Sequence, residues 1–365
     1  MTAGSKFLRK IQMGGEDVAG TGVAASTIWR GKGTLEDTRE DVFPEEDVGY
    51  ISGTDRAYTP FVEGKLEMEE IEATFEQLPH VLEAGIKTVT PTTDGSGMVR
   101  TYTLPTTAPN TIQTYTIEGG DNIGAEEMAY CFVESFKLSG KEKEAVMMSS
   151  VWIGRQVAPT TFTPELVLPT VEEMLFTKGH LYIDAVGAAF GNTEVANTLV
   201  EFGLDVKTGW RAMYAPNGQL FFSTIKCVGP EYTLEVTFEH NSDAVAEKAV
   251  WRARTTRKIR LAFLGTALGT PGSTYTTKAL IADLVGKWQK FDKIDENNGN
   301  DIVKGTFKGG LYNTTAATAG QIIVVNELAS VIASASASPS ASVSPSASVS
   351  PSASVSPSAS ASPSA

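Results

Sequence analysis

The side chains best able to do chemistry in this chain are few and scattered. His80, His180 and His240 are the only histidines, and each stands in an unrelated local setting, without an HExxH run or paired Cys/His spacing. Cys131 and Cys227 lie in strand-like runs in different halves and read as two buried thiols, since a disulfide framework needs more cysteines. No G-x-S-x-G nucleophile elbow is present. Gly14, Gly15, Gly20 and Gly22 lack the Lys-Ser/Thr of a phosphate loop and open no helix. Asp295, Asn297 and Gly299 sketch a calcium loop, but the glycine stands one place early and Thr306 replaces the closing glutamate, so a tight turn is expected. Glu67, Glu69, Glu70 and Glu72 are the densest acidic group. Strand neighbours on one face lie roughly 7 Å apart, which suits an acid–base pair of the glycosidase kind, yet no aromatic sugar platform accompanies them. A solvated acidic face is the better reading. The expectation is a protein with no catalytic residue, cofactor or metal.

The elements that must carry these groups are mostly strands. In Tyr232 to Glu239, Tyr232, Leu234, Val236 and Phe238 alternate with polar residues, the period of a half-buried strand. Asn241-Ser242-Asp243 then offers capping side chains. Ala246, Ala249, Val250 and Ala253 form a small apolar stripe at helical spacing, and Ile259, Leu261 and Phe263 alternate in the strand after it. Phe238, Ala246, Val250, Trp251 and Leu261 are therefore the expected scaffold of this strand–helix–strand unit. A weaker counterpart runs from Leu66 to Ile86: the glutamate strand, capping-box spacing from Thr74 to Gln77, and a short helix with Pro79 in its first turn and Gly85 closing it. There Leu66 and Met68 fall on one face with Glu70 and Glu72, and Glu67 and Glu69 on the other with Ile71, so only one glutamate pair is expected to share a surface. Pro216-Asn217-Gly218 marks a hairpin between Trp210–Tyr214 and Gln219–Ile225. Tyr275 to Leu284 and Lys287 to Ile294 read as separate strands, with Asn297 to Asn300 turning the chain into Asp301 to Phe307.

Length and charge bound the rest. The chain has 365 residues, 41% of them hydrophobic, enough for two ordinary domains. Its net charge of −13 is uneven: residues 1–165 hold 14 Lys and Arg against 26 Asp and Glu. That imbalance argues against a sequence-reading DNA binder, which needs cations on phosphates. It does not exclude a surface that DNA passes without sticking. The start lacks the apolar core of a secretory signal, and no run approaches the roughly 18 apolar residues of a membrane span, so a chain made soluble inside a cell, without a membrane anchor, is expected. Both halves share one order: strands, short helix, strands, polar-turn hairpin. The fold expected is mainly β: two tandem β-sandwich or barrel domains, each with one short flanking helix. Residues 1–26 are expected as an extended N-terminal arm, 27–160 as the first domain with a long acidic loop at 34–60, and 161–332 as the second domain. Residues 333–365, a Ser/Ala/Pro/Val repeat, are expected as a disordered tail.

Three runs, GWRAMYAPNGQLFFSTIKCVGPEYTLEVTFEH, AEKAVWRARTTRKIRLAFLG and ALIADLVGKWQKFDKIDENNGNDIVKGTFKGG, resemble the major tail tube protein of tailed phages. FEQLPHVLEAGI and FVESFKLSGKEKEAVMMSS are similar to it in the first half. The resemblance covers roughly residues 25–328 and rests on order and pattern. It implies a self-assembling structural virion protein whose rings stack into a hollow tail tube for genome ejection. Single-domain members form hexameric rings, so a duplicated chain is expected to close a ring with three subunits, a pseudo-sixfold trimer, with a hexamer as the other outcome. The resemblance also implies tape measure, tail terminator and tail tip proteins as partners, and DNA passing through without specific binding. Glu67, Glu69, Glu70 and Glu72 are then lumen candidates. Glu36, Asp37, Glu40, Asp41, Glu45, Glu46 and Asp47 are candidates for ring-to-ring contact. The rival expectation is a surface-exposed β-rich adhesion or decoration module on a Ser/Pro stalk.

Overall fold

A computed structural model describes residues 3–331. The Ser/Ala/Pro repeat, read above as a tail, lies outside the described residues. Strands dominate the rest, as expected. The first half contains β1 (Lys10–Gly15), β2 (Thr27–Trp29), β3 (Gly33–Arg39), β4 (Val62–Glu72), helix α1 (Leu78–Gly85), β5 (Thr92–Asp94), β6 (Gly97–Thr103), β7 (Tyr115–Gly120), β8 (Ala125–Lys141), β9 (Met147–Gly154) and β10 (Val157–Thr160). The second contains β11 (Gly179–Ala185), β12 (Leu199–Lys207), β13 (Trp210–Met213), β14 (Thr224–Cys227), β15 (Glu231–Glu239), helix α2 (Ser242–Arg252), β16 (Arg257–Ala267), β17 (Thr277–Phe291), β18 (Asp295–Asn297), β19 (Asn300–Gly309) and β20 (Gly320–Asn326).

The two halves repeat one pairing scheme. In the first, β1 pairs β7, β7 pairs β8, β8 pairs β9 and β10, and β9 pairs β4, which pairs β3. In the second, β11 pairs β16, β16 pairs β17, β17 pairs β19 and β20, and β19 pairs β15, which pairs β12. The match extends to an irregularity. β8 bulges against β9 between Val133 and Ser135, and β17 bulges against β19 between Trp288 and Lys290. Val133 and Trp288 face Trp152 and Phe307, which face Leu66 and Leu234, which face Leu35 and Leu204. These chains of partners give a residue-by-residue correspondence between the halves.

Each long strand, β8 and β17, serves two sheets. The start of β8 pairs β7 and β10, while its end pairs β9. Gly286 stands where β17 passes from β16 and β20 to β19. A Cβ there would lie 1.9 Å from the Lys308 carbonyl oxygen, so only glycine lets the backbones approach. That explains why two strands were expected where one runs unbroken.

The halves join edge to edge: the end of β8 pairs β12, from Ser135 opposite Lys207 to Lys141 opposite Glu201. The result is one continuous sheet in the order β3-β4-β9-β8-β12-β15-β19-β17. A second link runs from β6 to β20. The core lies on the inner face of the continuous sheet, around Trp152, Phe136, Leu204, Phe238 and Phe307.

Three expectations need correcting. Residues 1–26 are not a free arm: β1 lies between β2 and β7 with Ile11 and Met13 buried, because even this short apolar alternation has a covered face to fill. In α2 the inward residues are Ala244 and Glu247, with Val250 and Trp251 half-buried, while Ala246 and Ala249 are exposed. Glu247 turns inward because it accepts from Trp288 Nε1 at 2.8 Å and pairs with Arg257 at 2.9 Å. Glu36 and Asp37 belong to β3, not to a loop.

Candidate functional site

The exposed face of the continuous sheet and its two open edges hold the candidate site. Four glutamates of β4 define the acidic end of that face. β4 bulges between Met68 and Ile71, so two extra-strand phases meet there. Val62, Leu66, Met68 and Ile71 are buried, and Glu67, Glu69, Glu70 and Glu72 are all exposed. The bulge corrects the expectation that alternation would send the pairs to opposite faces. Lys65 Nζ lies 2.6 Å from Glu67, and Ser139 Oγ donates to Glu70 at 3.2 Å. Glu67, Glu69 and Glu70 share a shallow trough with Lys137, Ser149 and Asp205, and Glu72 lies outside it.

Toward the other edge the face turns basic. Lys137 sits opposite Asp205, and Lys141 opposite Glu201, across the β8–β12 junction. Such opposed pairs support a junction modestly. Lys304 reaches Glu235 at 2.7 Å, and Lys308 and Lys207 flank Glu231. Beyond them Lys287 and Lys290 complete the rim on β17.

The loop after β3 holds the remaining acidic candidates. Val42 bridges Tyr58, which ties the loop at its base. Asp41 accepts from the Thr59 hydroxyl, and Glu46 accepts from Thr54 and Arg56. Glu40, Glu45 and Asp47 are exposed, and Phe43, Tyr50 and Ile51 stand out beside them, Tyr50 at 74% exposure. A run of large apolar side chains in water marks a contact surface. The apolar residues of this loop were not singled out from sequence, because the acids around them dominate its composition.

A buried polar cluster lies away from this face. Arg100, fully buried, donates to Asn326 Oδ1 at 2.8 Å and to the Leu328 carbonyl at 2.6 Å, while Glu83 stands 4.0 Å away. Asn326 in turn donates to the Phe75 carbonyl at 2.7 Å. These groups bond one another, with Arg100 Nε left without a hydrogen-bond partner, and they clamp β6 to β20. Burial pushes the Glu83 carboxyl up to about 7, against the pull of Arg100, and burial with the Arg100 charge lowers His80 to about 3. The signs oppose. As pH rises from 4.5 to 7, the unfolded chain releases the Glu83 proton first, so stability falls. Between 3 and 6.5 the unfolded chain binds the extra proton at His80, so stability rises with pH. Over 4.5 to 6.5 the two cancel. Glu83→Gln is therefore expected to steepen the pH dependence by about 1.4 kcal/mol per pH unit in that window, rising with pH. Urea unfolding of the variant at several pH values checks it; an unchanged slope contradicts it.

His180 Nδ1 lies 2.7 Å from Glu194, and His240 stands apart from it at the end of β15, so the three histidines are not brought together. Asn298 and Gly299, both at positive φ, form the β18–β19 hairpin turn where the calcium-loop pattern was weighed. Cys131 is buried and Cys227 half-buried, both free, and burial pushes the Cys131 thiol up. Among the described residues no group of three or more His, Cys, Asp or Glu is placed to hold a metal, and no helix is long and apolar enough to cross a membrane. No protein-family model matches the chain, and no curated protein matches its sequence.

Proposed function

We propose that this chain is the repeating subunit of a phage tail tube, a virion protein that assembles with itself into stacked rings. The observation that carries the reading is the β8–β12 junction. It joins the trailing edge of one module to the leading edge of a like module. The same two edges recur at the ends of the sheet, β17 trailing and β3 leading: among the described residues Lys287–Phe291 pairs only with β19 and Gly33–Arg39 only with β4, which leaves the outer side of each open. An open strand edge invites pairing. Repeating the internal step between chains joins β17 of one to β3 of the next, a head-to-tail contact that closes into a ring when the rotation closes. Three chains supply six modules, the number the resemblance to tail tube proteins implies.

In such a ring the exposed face of the continuous sheet lines the lumen. Glu67, Glu69, Glu70 and Glu72 then repel phosphates, so the genome slides without adhering. Glu45, Glu46 and Asp47, with Phe43, Tyr50 and Ile51 beside them, serve ring-to-ring contact. The tape measure, terminator and tip proteins remain the partners expected at the ends of the tube. Electron micrographs of the purified, concentrated chain test the reading: hollow tubes support it, and a persistent monomer overturns it. The lumen assignment has its own test. Glu67→Lys with Glu69→Lys is expected to form tubes of ordinary width that retain double-stranded DNA at low salt and release it as salt rises, the signature of phosphate contacts. Equal DNA retention by the variant and the parent tubes contradicts it.

A further inference from the structure

Inside the chain, the end of β12 does more than pair with β8. Thr208 donates from its backbone N–H to the carbonyl of the bulge residue Glu134 at 3.0 Å, and from its hydroxyl to the Val133 carbonyl at 2.7 Å. Trp210 follows into a slot at the end of α1, where its indole N–H donates to the Gly85 carbonyl at 3.1 Å. The chain leaving the leading strand thus plugs the recess between the bulge and the helix C-terminus.

The corresponding place in the second half holds no strand end among the described residues; there the Trp251 indole N–H donates to the carbonyl of the bulge residue Gln289 at 3.2 Å. Beside the bulge residue Gln289 and the end of α2 lies a recess of about 560 Å³, with Arg252, Arg254, Lys287 and Lys308 on its walls. Among the described residues only Lys308 of these four makes an ion pair, to Glu231 at 3.6 Å. Four cations around one unfilled recess ask for an anionic occupant.

We propose that this recess receives Glu40 and Asp41 of the next copy of the chain. The proposal rests on the head-to-tail assembly above and adds its chemical lock. The correspondence between halves names the occupant: Leu35 matches Leu204, each facing the equivalent leucine, Leu66 or Leu234. Counting onward, Arg39 matches Thr208, Glu40 matches Gly209 and Asp41 matches Trp210. Across this seam Thr38 faces Lys290 and Asp37 faces Phe291, as Lys207 faces Ser135 and Val206 faces Phe136 within the chain. Glu36 then falls opposite Asp292, with Lys290, 2.5 Å from Asp292, diagonal to it and able to bridge both. An apolar and hydroxyl plug holds the seam inside each chain, and a charged one holds the seam between chains. The same fold step is made permanent within the subunit and salt-sensitive between subunits.

Charge reversal tests this in the full-length chain. Arg252→Glu with Arg254→Glu is expected to raise the concentration needed for assembly roughly tenfold or more, and so is Glu40→Lys with Asp41→Lys. All four substitutions together restore opposite charges at every seam and are expected to bring that concentration back toward the parent's. Carbodiimide treatment of parent assemblies is expected to link Lys287 or Lys308 to Glu40 or Asp41 between chains, a product absent from the monomer. Circular dichroism melts establish that each variant folds. If the parent forms tubes, yet both double variants assemble normally and no such link forms, the recess assignment is overturned while the tube reading stands. If the parent never assembles, both fall.

Discussion

Asp37→Pro is expected to leave the chain folded while weakening tube formation at least roughly tenfold or abolishing it. β3 is the leading edge of the continuous sheet, and among the described residues β4 on its inner side is its only strand partner. The direction of its backbone groups follows from its internal counterpart. Thr208 sends its N–H outward across the junction, and Arg39 matches it. Opposite Arg39, the Val62 N–H is given to the Leu220 carbonyl, so that pair has no bond across β3 and β4. Backbone groups alternate along a strand, so Asp37, two residues earlier, also points its N–H away from β4. Proline there removes a donor that the isolated chain does not use, and edge strands tolerate it for that reason. The next copy's β17 loses a partner at Phe291, the last residue of that strand, and meets a ring in its place. Assembly should need at least roughly tenfold more protein, or fail, since blocking one bond and the fit around it costs more than 1.4 kcal/mol. Sedimentation velocity reads the assembly, and a thermal melt reads the fold. Normal tubes from this variant would exclude β3 from the seam.

Trp152→Ala should have the largest effect on stability of any single change. Trp152 is fully buried at the middle of β9, edge-on to Tyr115 at 5.7 Å, and its indole N–H donates to Ser150 Oγ at 2.9 Å. It faces Leu66 across β4 and Val133 across β8, so it joins the strand behind the glutamates to the strand that makes the internal junction. Truncation leaves a cavity where three strands meet, and tryptophan-to-alanine changes of this kind cost about 3–5 kcal/mol. Urea unfolding below the assembly concentration should show a lower midpoint with a little-changed slope. A loss under about 1 kcal/mol would mean that the neighbours collapse into the space. The matching Phe307 packs against Trp288 at 5.1 Å and serves the same place in the second half.

Much of this framework was legible in the residues, for physical reasons that also mark where reading stopped. Tyr232 to Glu239 alternates cleanly because one face meets the core and the other meets water. Asn241 caps α2 as its type suggests, accepting from Asp243 and Ala244. The face of α2 was misread because composition favours alanine inward, whereas the groove needs a carboxylate for Trp288 and Arg257. The β4 glutamates were misassigned because a bulge shifts the phase of alternation and leaves no mark in residue type. β1 was hidden by the glycines around it, although Gly14 is needed there: a Cβ would lie 2.4 Å from the Ala24 carbonyl. Least visible was the β8–β12 pairing, since which edges meet depends on the assembled module and not on any one segment.

That pairing, repeated between chains, is the central claim. The most direct test is a reconstruction of the tube wall from electron micrographs of the full-length chain, resolved well enough to count chains and trace strands. Three chains per ring are expected, with β17 of each bonded to β3 of the next and Lys290 opposite Thr38. A ring of six full-length chains, or a wall in which β3 and β17 of neighbouring chains do not meet, would contradict it.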